Sequence, residues 1–124
     1  MDIESIVAEL ARQACAEQHY ERWPAAVAHF CAAADGLMGL ESIWISLGDG
    51  ECGGLILWVV HSLHSYPERH SLEWTVLELA ERIMAEHDLC FTAISVEQEA
   101  NGCIEGLVNG ITCLWEQASS QELL

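Results

Sequence analysis

Two stretches of the chain carry residue types that chemistry uses. The first, Gly48-Asp49-Gly50-Glu51-Cys52-Gly53, fits the G-x-G-x-x-G spacing with which a glycine-rich loop cradles phosphates. That chemistry needs the loop to pass from a strand into a helix, whose first amide groups receive the negative charge. Here strand-like segments lie on both sides, and Asp49 and Glu51 would set carboxylates against a phosphate. Asp49-Gly50 reads instead as a hairpin turn, since such turns need positive φ angles that glycine adopts cheaply. Cys52 sits among acids that disfavour its thiolate, so no reactive thiol is expected there.

The second stretch holds His61, His64 and His70. Its H-x-x-H spacing could bring two imidazoles to one metal on a turn, but zinc sites usually carry a second close pair of ligands. Cys52 or Glu68 could complete the set only by folding, so the expectation is no metal and no cofactor. Neither G-x-S-x-G nor a cysteine box for nucleophilic catalysis occurs. Paired carboxylates are plentiful, but in so acidic a chain they read as surface charge. The sequence names no reaction, and the expected class is a binding protein rather than an enzyme.

Aromatic residues are the more informative candidates. Trp44 projects from the polar side of an alternating strand, and Trp74 lies at the edge of a helix's apolar arc near Glu73, Glu78 and Glu81. Exposed tryptophans among carboxylates make interface anchors: the acids steer a basic partner and the rings fill the desolvated centre. The alternative is that both rings pack beneath a neighbouring helix. With the acids of the hairpin turn added, the candidate partner-binding set is Trp44, Asp49, Glu51, Glu73, Trp74, Glu78 and Glu81.

The elements that must position these residues follow from period and punctuation. Asp2 caps a first helix to about Gln18, with Ile3, Ile6, Val7, Leu10 and Ala14 at helical spacing. Pro24 suits the first turn of a second helix, where Val27, Phe30, Cys31 and Ala34 share a face, and Gly36 and Gly39 end it. ESIWISL alternates as a strand with one buried face, while LILWVVH is apolar at six consecutive positions, as a strand covered on both faces would be. A third helix opens at Pro67 or Ser71 and runs to about His87, burying Leu72, Val76, Leu79, Ala80 and Ile83 and pairing Glu78 with Arg82 on the outside. LCFTAISV is a third strand.

The segment after Asn101-Gly102 is ambiguous. Gly106, Asn109 and Gly110 argue for a hairpin, but Ile104, Leu107, Val108, Ile111, Leu114 and Trp115 fall in one helical arc, which favours a helix. The expected fold is a single α+β domain over residues 1–124, with helices packed on a small three-stranded sheet in the order α-α-β-β-α-β-α.

Composition narrows the partner. The 124 residues include 20 acids against 4 arginines and no lysine, for a net charge of −16. That charge opposes binding to nucleic acid phosphates or an anionic membrane surface and favours a basic protein. The acidic N-terminus does not resemble a signal peptide and no apolar run approaches the length of a membrane span, so a cytoplasmic location is expected. The six cysteines never form C-x-x-C and read as buried thiols of a reducing compartment.

In size, acidity and lack of catalytic motifs the chain is similar to inhibitors that occupy a phosphate-binding surface: anti-CRISPR and anti-restriction proteins, and immunity proteins of nuclease toxins. Carboxylates can stand in for phosphates because arginine and lysine recognise both. The expected function is therefore inhibition of a basic nuclease or other nucleic-acid-binding complex by blocking its nucleic-acid site. The alternative is a type III secretion chaperone, a class of small acidic α/β proteins that dimerise through a helix and bind an effector segment. A homodimer and an uncovered apolar face would go with that reading.

Overall fold

Asp2 opens the first helix as the sequence predicts, its Oδ1 accepting the Ser5 amide at 2.8 Å. Helix α1 (Ile3–Cys15) is followed by one 3-10 turn (Tyr20–Arg22), helix α2 (Trp23–Ala34), strands β1 (Leu40–Leu47) and β2 (Leu55–His61), helix α3 (Tyr66–His87), and strands β3 (Thr92–Glu97) and β4 (Thr112–Glu116). This computed structural model describes residues 2–15, 20–47, 55–89, 91–97 and 111–116. The Asp2 carboxyl is held below its ordinary pKa by its hydrogen bonds to Ser5. The stability it lends at neutral pH is therefore lost as the pH falls through that lowered value.

Among the described residues, four strands form one mixed sheet in the order β3-β2-β1-β4. β1 and β2 are antiparallel with Leu47 opposite Leu55, so residues 48–54 join two strands. The strand-to-helix context of a phosphate loop is thus missing, although the turn itself, with Asp49, Glu51 and Cys52, lies outside the described residues. β2 and β3 are parallel, with α3 as the crossover.

The α+β class holds, but the last element differs from the expected helix: residues 112–116 are a strand paired antiparallel with β1. The sheet gains a fourth strand and the order becomes α-α-β-β-α-β-β. Its register explains the difference. Ile43 faces Trp115 while Trp44 faces Cys113, so Leu114 is an extra residue that breaks the strand's alternation. That bulge leaves Ile111, Leu114 and Trp115 at i, i+3 and i+4, the spacing of a helix.

The helices share one core with one face of the sheet. Val7 and Ala11 of α1, Trp23, Val27 and Phe30 of α2, and Val76 and Ile83 of α3 are buried together with Ile43, Ile45, Leu57 and Val59. The opposite face carries Trp44, Ile56, Trp58, Ile94 and Val96, all partly buried, beside the buried Ser46 and Val60. LILWVVH is thus central in the sheet, but its second face is only half covered, contrary to the expected burial of both.

Gly39 takes φ +82°, and a Cβ built there would lie 2.5 Å from Leu63 Cγ. Gly39→Ala is expected to cost about 1–3 kcal/mol through the left-handed backbone alone. A urea midpoint unchanged from the wild type would contradict that.

Candidate protein-binding surface

Helix α3 has two faces because its apolar residues fall into two arcs. Leu72, Val76, Leu79, Ala80 and Ile83 recur at three- and four-residue spacing and are buried. A second stripe, Tyr66, His70, Trp74 and Leu77, advances by four, four and three residues and therefore lies on a neighbouring line of the same helix. It faces solvent: Tyr66 is 68% exposed, Trp74 57% and Leu77 47%. The Tyr66 and His70 rings stack at 5.7 Å with a 19° tilt, which holds the two side chains along the stripe.

Carboxylates flank these rings. Glu73, Glu78 and Glu81 are all exposed. Glu78 and Glu81 enter no ion pair among the described residues, so the expected Glu78–Arg82 pair does not form. Meanwhile three of the four arginines are spent on acids elsewhere: Arg12 on Glu9, Arg22 on Asp88 and Arg69 on Glu97. The outer face of α3 therefore combines apolar area with negative charge available to a second molecule.

Two other predicted residues stand apart from this stripe. Among the described residues, Trp44 neither projects freely nor packs beneath a helix. It lies on the half-covered sheet face opposite Trp58, and its indole N–H donates to Ser42 Oγ at 2.8 Å. Trp58 donates likewise to Ser46 Oγ at 2.8 Å. Asp49 and Glu51 lie outside the described residues. Of the predicted set, then, Glu73, Trp74, Glu78 and Glu81 come together. Tyr66, His70 and Leu77 join them unpredicted, although the four-residue spacing from Tyr66 to Trp74 was a readable signal.

The histidine loop does not assemble a shared site among the described residues. His64 Nδ1 lies 2.7 Å from Glu97 Oε2, Arg69 approaches the other oxygen of that carboxylate at 3.5 Å, and His70 stacks on Tyr66. His61 is buried, its Nδ1 accepting the Leu63 amide at 3.3 Å. Burial lowers the His61 pKa from the ordinary 6.5, against the opposing pull of Glu97 and Glu73.

The unfolded chain thus takes up this proton at a higher pH than the native one, and stability falls as pH drops below about 6.5. Above that value His61 is neutral in both states and imposes no penalty. Urea midpoints at pH 7.5 and 5.5 are expected to differ less in His61→Gln than in the wild type. An equal difference in both would show that other groups carry the dependence.

Cysteine chemistry gives no alternative site among the described residues. Cys31 is a buried thiol, and burial, with the nearby Cys113, pushes its pKa up to about 12.

Fold and surface together define an α+β domain with its helices on one sheet face and an acidic, aromatic-bearing helix turned to solvent. No protein-family model and no curated protein matches the chain. Among solved structures it is similar to a chain from a Shewanella oneidensis complex of tri-AMPylated HEPN toxin with MNT antitoxin. The likeness covers 79% of this chain and 78% of that one, at 15% identity and a TM-score of 0.43. A likeness at that level carries no conclusion about function. Among the described residues no helix is long and apolar enough to cross a membrane.

Proposed function

We propose that this protein is an inhibitor that docks the outer face of α3 onto a basic, nucleic-acid-handling protein and blocks its nucleic-acid site. The observation that carries the reading is the exposed Tyr66–Trp74–Leu77 stripe set among Glu73, Glu78 and Glu81 in a chain of net charge −16. Desolvating an aromatic centre supplies affinity, and surrounding acids speed encounter with a basic surface and discriminate against acidic ones. The carboxylates accept the arginine and lysine contacts that a phosphate backbone would otherwise take. A cytoplasmic location belongs to this reading, since the partner acts on intracellular nucleic acid, and so do the absence of direct nucleic-acid or membrane binding and the lack of an enzymatic role.

The test is a pull-down from bacterial lysate with parallel low- and high-salt washes. A nuclease or nucleic-acid-binding complex released by salt is expected. Glu73→Gln/Glu78→Gln/Glu81→Gln should weaken its capture and flatten the salt dependence; unchanged affinity and salt dependence would remove α3 from the mechanism.

A second reading rests on a different observation, the half-covered sheet face of Trp44, Ile56, Trp58, Ile94 and Val96. A secretion chaperone would use such a face for an effector segment or a second copy. Capture of one secreted protein that survives high salt, together with a concentration-dependent dimer, would favour it.

A further inference from the structure

The last turn of α3 lies against α2, and three metal-ligand groups converge there. His29 Nδ1 is 3.2 Å from His87 Nε2 and 3.5 Å from Glu86 Oε2. The ligand atoms of these residues all lie within 4.8 Å of one another. One proton serves this arrangement poorly. If His29 Nδ1 carries it, a single N–H faces two acceptors; if His87 Nε2 carries it and donates to a bare Nδ1, the Glu86 carboxylate is left without a donor from either ring. A cation among the three atoms would take one lone pair from each.

The two separations measured from His29 also suit a metal. Zinc–nitrogen bonds of about 2.0–2.1 Å at tetrahedral angles put neighbouring ligand atoms roughly 3.3–3.4 Å apart, between the two separations measured from His29. The end of α3 that carries Glu86 and His87 is fixed: Leu89 N–H donates to Met84 O at 3.0 Å to close the helix, and Arg22 binds Asp88 Oδ2 at 3.0 Å. That bond occupies Arg22 with Asp88. His29 and His87 are half-buried while Glu86 is exposed, so a remaining coordination position opens toward solvent.

We propose that His29, Glu86 and His87 bind one divalent transition-metal ion of the zinc type, joining α2 to the end of α3. Two imidazoles select zinc, cobalt or nickel over magnesium and calcium, which prefer all-oxygen sites. The net charge of −16 raises the local concentration of any cation. The site is independent of the inhibitor reading, lying on the α2–α3 seam and not on the Tyr66–Trp74–Leu77 stripe.

The test uses the full, tag-free chain stripped with chelator and titrated calorimetrically with Zn(II), with Co(II) followed by visible absorption and Mg(II) as contrast. One Zn(II) per chain, a Co(II) spectrum of a four- or five-coordinate ion and no Mg(II) uptake are expected. His29→Ala and His87→Ala should each weaken Zn(II) binding at least tenfold, whereas His64→Ala and His70→Ala should not. Glu86→Gln, a change on an exposed side chain that keeps the fold, should weaken it as well. Failure of the wild type to bind one Zn(II), or binding undiminished in His29→Ala/His87→Ala, would overturn the proposal.

Discussion

Changing Trp74 and Leu77 together to alanine is expected to weaken partner capture by at least tenfold while leaving the fold intact. Both side chains are about half exposed on the outer line of α3 and do not belong to the buried cluster. Large aromatic residues at the centre of an interface typically cost about 2–4 kcal/mol on truncation, whereas surface substitutions away from packed features stay within about 0.5 kcal/mol of stability. Alanine is also the better helix former, so α3 itself should not weaken. Affinity for the captured partner and the thermal midpoint of the free protein are the paired measurements. A midpoint lowered by more than about 5 °C would instead place Trp74 or Leu77 in the fold.

Phe30→Ala has the largest expected effect on stability. Phe30 is fully buried on α2, and its ring meets Phe91 edge-on at 6.2 Å and 89°. Trp23 approaches the same Phe91 ring at 5.9 Å. These contacts lock α2 against the segment that enters β3, beside the Arg22–Asp88 pair that closes α3. Removing the ring is expected to cost about 3–5 kcal/mol, as buried phenylalanines do when the surroundings relax only in part. Against a total of about 5–15 kcal/mol for a typical domain, that brings the chain close to unfolding. A loss under about 1 kcal/mol by urea denaturation would mean that α2 is not part of the core.

Much of the fold is legible locally because local chemistry and tertiary packing agree. Asp2 caps α1; Val27, Phe30, Cys31 and Ala34 are buried on α2 as their spacing predicts; and the five apolar residues assigned to the inner face of α3 are all buried. The exception is β4. Its pairing with the edge of β1 is a long-range event with no local mark, and the bulge at Leu114 replaces strand alternation with helix-like spacing. Thr112, Cys113 and Trp115 are nevertheless poor helix formers, and Gly106, Asn109 and Gly110 argue for a hairpin.

The candidate surface is half legible for a similar reason. Charge and the position of Trp74 are local properties, so Glu73, Trp74, Glu78 and Glu81 could be read from helical spacing. The departure of Tyr66, His70 and Leu77 from the buried arc became visible only once α2 and the sheet fixed which side of α3 is covered. The His29–Glu86–His87 group was not legible at all. Its two histidines are 58 residues apart, and only the packing of α2 on α3 brings them within 3.2 Å.

The central claim is that the acidic aromatic face of α3 occupies a nucleic-acid site on a basic protein. It is tested most directly by displacement: labelled nucleic acid is bound to the captured partner, and this protein is added in increasing amounts. Wild type should release the label with one chain per site and with a midpoint that rises steeply with salt, while Trp74→Ala/Leu77→Ala should require at least tenfold more protein. A ternary complex, with label, partner and this protein bound together at saturation, would contradict the account.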